Sequence, residues 1–331
     1  MQKPTTFRVL DADPDISQRH VALSVQEVAE TVVALDVQDG RVQYDPTKTS
    51  ILQIPAARSG APFFVHSVPA RENRPRHPGK DPLCVEAARA IGQHFVVLET
   101  PNWNLLALAN PFAYMAECVT WATAEHLPQR CGEIEGTSSW KRVFSTMLFL
   151  CSELLERVVG FNETVGNSLN HLHMVSHRAP EGLGRYPAQL IAERIGRQAR
   201  PGITHIGPHN GYPTHVWRVD LFDPDATAQA AAALVSRWCR IGGEFASANA
   251  AAVMENGHAT LYVIPRHRLL TAIGWQSTPA FLEMLGVFIA GHGSDFDRVK
   301  LGDWGYEHIW QVLSSLQPIE AARVPLHVTA A

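Results

Sequence analysis

The chain has 331 residues, 28 Lys+Arg against 32 Asp+Glu, and a formal net charge of −4. With 46% hydrophobic and only 18% charged residues, general disorder is excluded, and the slightly acidic balance leaves no electrostatic footprint for a nucleic acid. The length suits about two domains' worth of chain, enough to bury a core without disulfides or metals, and leaves 16 histidines as the compositional oddity.

In chain order, residues 1–50 read as a leader of short elements, with a strand over Phe7 to Leu10 and a helix over Val21 to Val33. Ile51 to Ile54 and Phe63 to Val68 are strand-like. The run Arg71-Glu-Asn-Arg-Pro-Arg-His-Pro-Gly-Lys80 follows as a loop, with Arg71, Arg74, Arg76 and Lys80 against a single Glu72. It is either a solvated connector or an arm that holds phosphate. Trp103 to Leu108 and Val119 to Ala122 are strands around a loop at Asn110-Pro111-Phe112. Val143, Met147, Leu150, Leu154, Leu155 and Val158 share one face of a helix predicted over Ser138 to Val159, with Gly160 as its stop.

Ala179 to Pro213 is rich in Gly, Pro and His and helical around Ala188 to Gln198. His205, His209 and His215 gather there, either lining a pocket or decorating a polar loop. A strand over Tyr212 to Leu221, a helix over Ala226 to Cys239 and a strand over Thr260 to Ile264, after the Asn256-Gly257 turn, come next. Ala280 to Ile289 and Tyr306 to Leu316 close the chain; Glu283 there suits an amphipathic helix or a pocket carboxylate equally. The order strand, helix, strand in both halves hints at a duplication with its boundary near 179–210. Helices mixed with hairpin-like strands give an α+β class, and no G-x-G-x-x-G or Walker loop is present.

Cys84, Cys118, Cys131, Cys151 and Cys239 are odd in number and form no C-x-x-C pair, so a reducing compartment is expected. Met1 to Asp15 has no apolar core of a secretory signal, and the greasy stretch from Met147 to Leu155 is too short to span a bilayer. A cytoplasmic protein without membrane or nucleic-acid partners is the expectation.

The segment His171-Leu-His-Met-Val-Ser-His177 carries the chemistry. In a strand His171, His173, Val175 and His177 point one way while Leu172 and Met174 enter a core. Gly166, Asn167, Ser168 and Asn170 precede it, small residues that let backbone N–H groups approach an anion. Alternating imidazoles can bind a metal or attack a phosphoryl centre through a neutral nitrogen. The plainer reading is histidines on a strand edge.

Asn162, Gly166, Ser168 and then His171-x-His173 resemble the active-site strand of the histidine-triad and galactose-1-phosphate uridylyltransferase-like superfamily, nearest its diadenosine tetraphosphate phosphorylase and GDP-L-galactose phosphorylase branch. Trp103 to Pro111, Glu125-His-Leu-Pro-Gln129, Asn249, Leu261 to Arg266 and Pro279 to Gly286 are similar to further family segments, and together these cover about two-thirds of the chain in the family's order. The resemblance implies two histidine-triad-like repeats, 51–180 and a divergent 181–331, forming one mixed, mainly antiparallel sheet with flanking helices.

It also implies a nucleotidyltransferase or phosphorylase (a transferase, EC 2.7.7.-) acting on a nucleoside diphosphate conjugate or dinucleoside polyphosphate. His173 would carry a nucleotidyl intermediate and His171 would orient it. Asn162, Gly166, Ser168, Asn110, Arg266 and His177 would contact substrate, with Arg74 or Arg76 as further phosphate clamps. The partner expected is a nucleotide or nucleotide conjugate, and a homodimer is compatible; no cofactor is required.

Two departures stand out. The family's glutamine two residues after the second histidine is Val175 here, which cannot hydrogen-bond through its side chain. The upstream C-x-x-C pair of zinc-binding members reads Asp81-Pro-Leu-Cys84, and Asn110 stands where a uridylyltransferase-type histidine partner would. This leaves two rivals. One is a metal-dependent enzyme of oxygenase or hydrolase type with zinc or iron on His171, His173 and His126, with His177 as a further candidate ligand. The other is a non-catalytic nucleotide-binding protein.

Overall fold

The computed structural model describes residues 7–17, 23–57, 60–71, 81–134, 139–166, 169–180, 183–196 and 202–326. Its strands are β1 Val9–Ala12, β2 Ser50–Ile54, β3 Phe63–Ser67, β4 Phe95–Glu99, β5 Asn104–Ala109, β6 Val119–Thr123, β7 Arg157–Asn162, β8 His173–Arg178, β9 Gly202–Ile206, β10 Val216–Asp220, β11 Ala246–Glu255, β12 His258–His267 and β13 Val287–Ala290. The helices are α1 Pro14–Ser17, α2 Val25–Gln38, α3 Val85–Ala90, α4 Ser139–Glu153, α5 Pro187–Gly196, α6 Pro224–Gly242, α7 Phe281–Met284, α8 Gly293–Lys300 and α9 Tyr306–Ser315.

Ten strands form one sheet in the order β1-β4-β5-β6-β8-β7-β11-β12-β10-β9, each antiparallel to its neighbours. The parallel pairing, β13 on β3, lies in a separate three-stranded sheet, where β2 runs antiparallel to β3. The fold is therefore α+β with a large antiparallel sheet and flanking helices.

Strand alternation divides the core. Val159, Phe161, Leu172, Met174 and Ala250 pack with the apolar stripes of α2, α4 and α6 on one face. Val158, Ala251, Tyr262 and Ile264 face the small sheet, α5, α7 and α9 on the other. Such side chains stabilise by roughly 1.5–3 kcal/mol each when fully buried, so shifting β8 by one residue would expose several at once. This parity sends Met174 to the helical face and leaves His173, Val175 and His177 on the other.

Two helices differ at one end from the sequence expectation. The Val21 to Val33 helix begins at Val25, because Ser24 caps it: Ser24 Oγ accepts the Glu27 N–H at 3.2 Å and Glu27 Oε2 accepts the Ser24 N–H at 2.8 Å. Val21 and Ala22 lie outside the described residues. The helix expected through Val159 stops at Glu153, Glu156 turns the backbone at φ 60°, and Arg157 onward becomes β7. Its β-branched residues pair with β8 on one side and β11 on the other, so sheet pairing overrides helical periodicity. Gly160 is thus no helix stop. A Cβ there would lie 2.1 Å from the Phe281 ring, and the glycine lets α7 settle on the sheet.

The alanine-rich β11 was not foreseen. It pairs along its whole length with β12 through the Asn256-Gly257 hairpin turn, where both residues have positive φ. Ala248, Ala250 and Ala252 lie in the core beneath α4 and α6, and short side chains there let the helices approach the sheet closely. Among the described residues, no helix is long and apolar enough to cross a membrane.

Candidate active site

β7 ends and β8 begins side by side, and Gln129 joins them. Its Oε1 accepts the His173 N–H at 2.8 Å, and its Nε2 donates to the Asn162 carbonyl at 2.6 Å and the His173 carbonyl at 3.2 Å. Gln129 is buried, so these bonds are made away from competing water. Its own N–H donates to Asn170 Oδ1 at 3.2 Å, which fixes the turn that carries it.

The His173 Nδ1 lies 2.7 Å from the His171 carbonyl oxygen. A carbonyl only accepts, so Nδ1 carries a proton, and in the neutral form of the ring the lone pair lies on Nε2. His171 itself lies just before β8 and is fully buried. Its Nε2 donates to the Thr123 carbonyl at 2.7 Å, and its Nδ1 meets Asp81 Oδ2 at 2.5 Å. The same carboxylate oxygen lies 2.8 Å from Nδ1 of the exposed His126, while Asp81 Oδ1 accepts the Leu83 N–H at 2.9 Å. Burial pushes the Asp81 carboxyl up. The Leu83 N–H and the two histidines outweigh that, and the group sits below the usual carboxylate range.

Asp81, His126 and His171 present donor atoms that all lie within 4.8 Å of one another. Two imidazoles and a carboxylate suit a divalent ion such as zinc or iron, and the His171 Nε2 bond to a carbonyl is the outer-shell contact that orients a ligating histidine. The metal set expected from sequence was His171, His173 and His126; the structure joins the first and last of these with Asp81, and His173 is outside the group.

His173 instead lines a cavity of about 460 Å³ with Val175, Asn162, Gly166, Asn110 and Arg71. Gly166 takes φ +84°, and a Cβ there would meet Ala280 Cα at 2.9 Å, so the close approach of α7 requires glycine. Asn162 Oδ1 accepts the Phe281 N–H at 2.9 Å, and Asn110 Oδ1 accepts the Phe112 N–H at 3.0 Å. Arg71 places its guanidinium 5.0 Å over the Tyr114 ring and brings a cation to the cavity wall. Leu83, Leu108, Phe112 and Phe281 make the apolar part of the wall. Glu283 lines it too while capping α7: its Oε2 accepts the Ala280 N–H at 2.8 Å, and burial raises its carboxyl.

Two expected contacts are elsewhere. Arg266 is 1% exposed and does not line the cavity. Its Nη1 donates to the Pro279 carbonyl at 2.8 Å, its Nη2 has no partner among the described residues, and burial lowers its pKa to about 10. Its parity with the buried Tyr262 and Ile264 made this inward position readable. His177 is buried under Phe281, stacked at 6.1 Å, and burial lowers its pKa to about 4. It also lies outside the cavity lining. Ser168, Arg74 and Arg76 fall outside the described residues. The roles of Gln129 and Asp81 went unread, although both lie in segments that the resemblance had singled out, Glu125 to Gln129 and Asp81 to Cys84.

No family model matches this chain, and no curated protein matches it either. Three crystal structures of yeast Ap4A phosphorylase Apa2 do match. The uncomplexed form aligns at a TM-score of 0.58 and 14% identity, over 89% of this chain and 94% of that one. The complex with AMP gives 0.61 at 14% identity, over 89% and 96%. The complex with Ap4A gives 0.62 at 13% identity, over 89% and 97%. The chain shares the fold of yeast Ap4A phosphorylase Apa2, a phosphorylase of the kind the sequence resemblance pointed to.

Proposed function

We propose that the chain is a nucleotidyltransferase or phosphorylase that carries a nucleotidyl group on Nε2 of His173, released from a nucleoside diphosphate conjugate or a dinucleoside polyphosphate. The observation that carries this reading is the His173 Nδ1 bond to the His171 carbonyl at the wall of the cavity. That bond selects the tautomer with a nucleophilic Nε2. It also strengthens as the ring gains positive charge on forming the P–N bond.

In the first step Nε2 attacks the α-phosphorus and the P–O bond to the leaving phosphate chain breaks, its electron pair departing with that chain. In the second an acceptor oxygen, that of inorganic phosphate for a phosphorylase, forms a new P–O bond as the P–N bond breaks. Gln129 holds the His173 backbone so that the ring keeps its aim. Arg71 is placed to balance phosphate charge, and the apolar wall suits a base or ribose face. The shared fold with a phosphorylase that binds AMP and Ap4A supports nucleotides as ligands.

Asp81, His126 and His171 would hold a divalent ion, which would cross-link the Asp81 loop to the segment that carries the His173 acceptor carbonyl. Because His173 is not one of the donors, the arrangement favours a nucleophilic His173 over a metal-bound one.

Incubation with a panel of labelled nucleotides and nucleotide conjugates, with and without phosphate, tests the reading. An acid-labile adduct that phosphate discharges supports it. Binding without adduct across the panel would instead favour the nucleotide-binding protein that the loss of glutamine at Val175 allows.

A further inference from the structure

A second histidine group lies away from the cavity, in the hairpin between β9 and β10. His205 is on β9, His209 in the short turn Pro208–Asn210, and His215 just before β10. Pairing of Ile206 with Val216 folds the turn so that the three rings converge over Gly207. A side chain at Gly207 would begin 3.0 Å from His215 Nδ1, 3.4 Å from His205 Nε2 and 3.4 Å from His209 Nδ1. His205 Nε2 and His215 Nδ1 therefore face the space that residue 207 leaves open, and His209 Nδ1 borders it from farther out.

We propose that His205, His209 and His215 bind one divalent transition-metal ion, with zinc as the reference, at a site independent of the cavity and of the Asp81 cluster. His205 Nε2 and His215 Nδ1 are 2.8 Å apart, a separation that holds one shared proton. Opening it by about half an ångström gives the separation of two imidazole nitrogens bound to one zinc at about 2.0–2.1 Å.

The surroundings supply the outer contacts. Gln317 Nε2 lies 2.8 Å from His215 Nε2. Turning that amide over offers its oxygen to an Nε2–H, and the proton moves within the His215 ring from Nδ1 to Nε2, freeing the Nδ1 lone pair without net proton loss. Asn210 fixes the turn by accepting the Gly207 N–H at 2.6 Å and donating to the His205 carbonyl at 2.9 Å. His209 is exposed, so it closes the site by swinging its Nδ1 toward the ion, while Asn210 meets its Nε2 at 3.1 Å. An all-imidazole set suits zinc, nickel, copper or iron and not the hard cations that take oxygen ligands.

The test is metal binding by the full chain after chelator treatment, read as zinc per chain and as the visible spectrum of bound Co²⁺. It is done in a His126→Ala background so that the Asp81 cluster lacks a donor. One zinc per chain is expected to remain, with affinity falling at least about tenfold in His209→Ala and about a hundredfold or more in His205→Gln. His209 is exposed, so its variant folds whatever becomes of the half-buried His205 variant; circular dichroism checks both. Retention of the metal at unchanged affinity in both variants, or no zinc bound in the His126→Ala chain, would overturn the proposal.

Discussion

At His171 the ring meets a carboxylate on one side and a backbone carbonyl on the other, whereas at His205 and His215 it meets another imidazole. The carbonyl can only accept, so His171 Nε2 is held as a donor while Nδ1 faces the Asp81 carboxylate, and the His171 carbonyl in turn orients His173 toward a cavity. The Gly207 group has amides and imidazoles around it, and His205 Nε2 and His215 Nδ1 share one proton. On the proposed reading, the same residue type serves as a held nucleophile in one place and as a ligand set in the other, and the neighbours decide which.

The sharpest way to break this contrast is to remove one ring from each group. His173→Ala should lower adduct formation by at least about a thousandfold, while His209→Ala leaves it unchanged; rapid-quench assays with labelled nucleotide measure both. Equal losses would mean that the groups do not act separately.

Next in size is the backbone clamp. Gln129→Leu leaves the His173 N–H and the Asn162 carbonyl without their partner, at roughly 1–3 kcal/mol each, and lets the nucleophile drift. We expect kcat down about a hundredfold with a smaller change in KM. Rescue of much of the loss in Gln129→Glu, which restores the acceptor alone, would assign the effect to the His173 N–H.

Acid should separate the groups further. The His177 pKa in the folded chain, about 4, lies below the ordinary 6.5, so the unfolded chain binds the proton first as pH falls. Its contribution is complete above pH 6.5 and is lost on descending to about 4, a total of about 3 kcal/mol. His177→Phe should flatten that part of the stability–pH curve in urea titrations. The remaining slope should include His205 and His215, with the same depressed values, and saturating zinc should steepen it as protons compete for the ligand nitrogens.

The smallest effect expected is at Val175, which lines the cavity near His173. Val175→Gln offers one amide to a phosphate and should raise the discharge rate of the adduct by less than about tenfold, the scale of a single hydrogen bond. A fall would indicate a wall that needs an apolar residue.

Much of this was legible from local pattern. The alternation over His171 to His177 placed β8 and its nucleophile candidate, and Asn-Gly placed the β11–β12 turn. What escaped depended on distant partners. Gln129 bonds to a residue 44 positions away and Asp81 to one 90 positions away, and no local period announces either. β11 escaped because alanine favours a helix when nothing else decides, and only the helices packed over it select a strand. His171 was expected to share the exposed face of His173, but it precedes the strand and turns inward to Thr123.

The most direct test of the account is peptide mass mapping after a single turnover, quenched at alkaline pH to preserve a phosphoramidate. The account predicts one nucleotidyl group on the peptide that carries His173, absent in His173→Ala and discharged by an acceptor such as phosphate. A nucleotidyl group on any other residue, or turnover that survives His173→Ala, would contradict it.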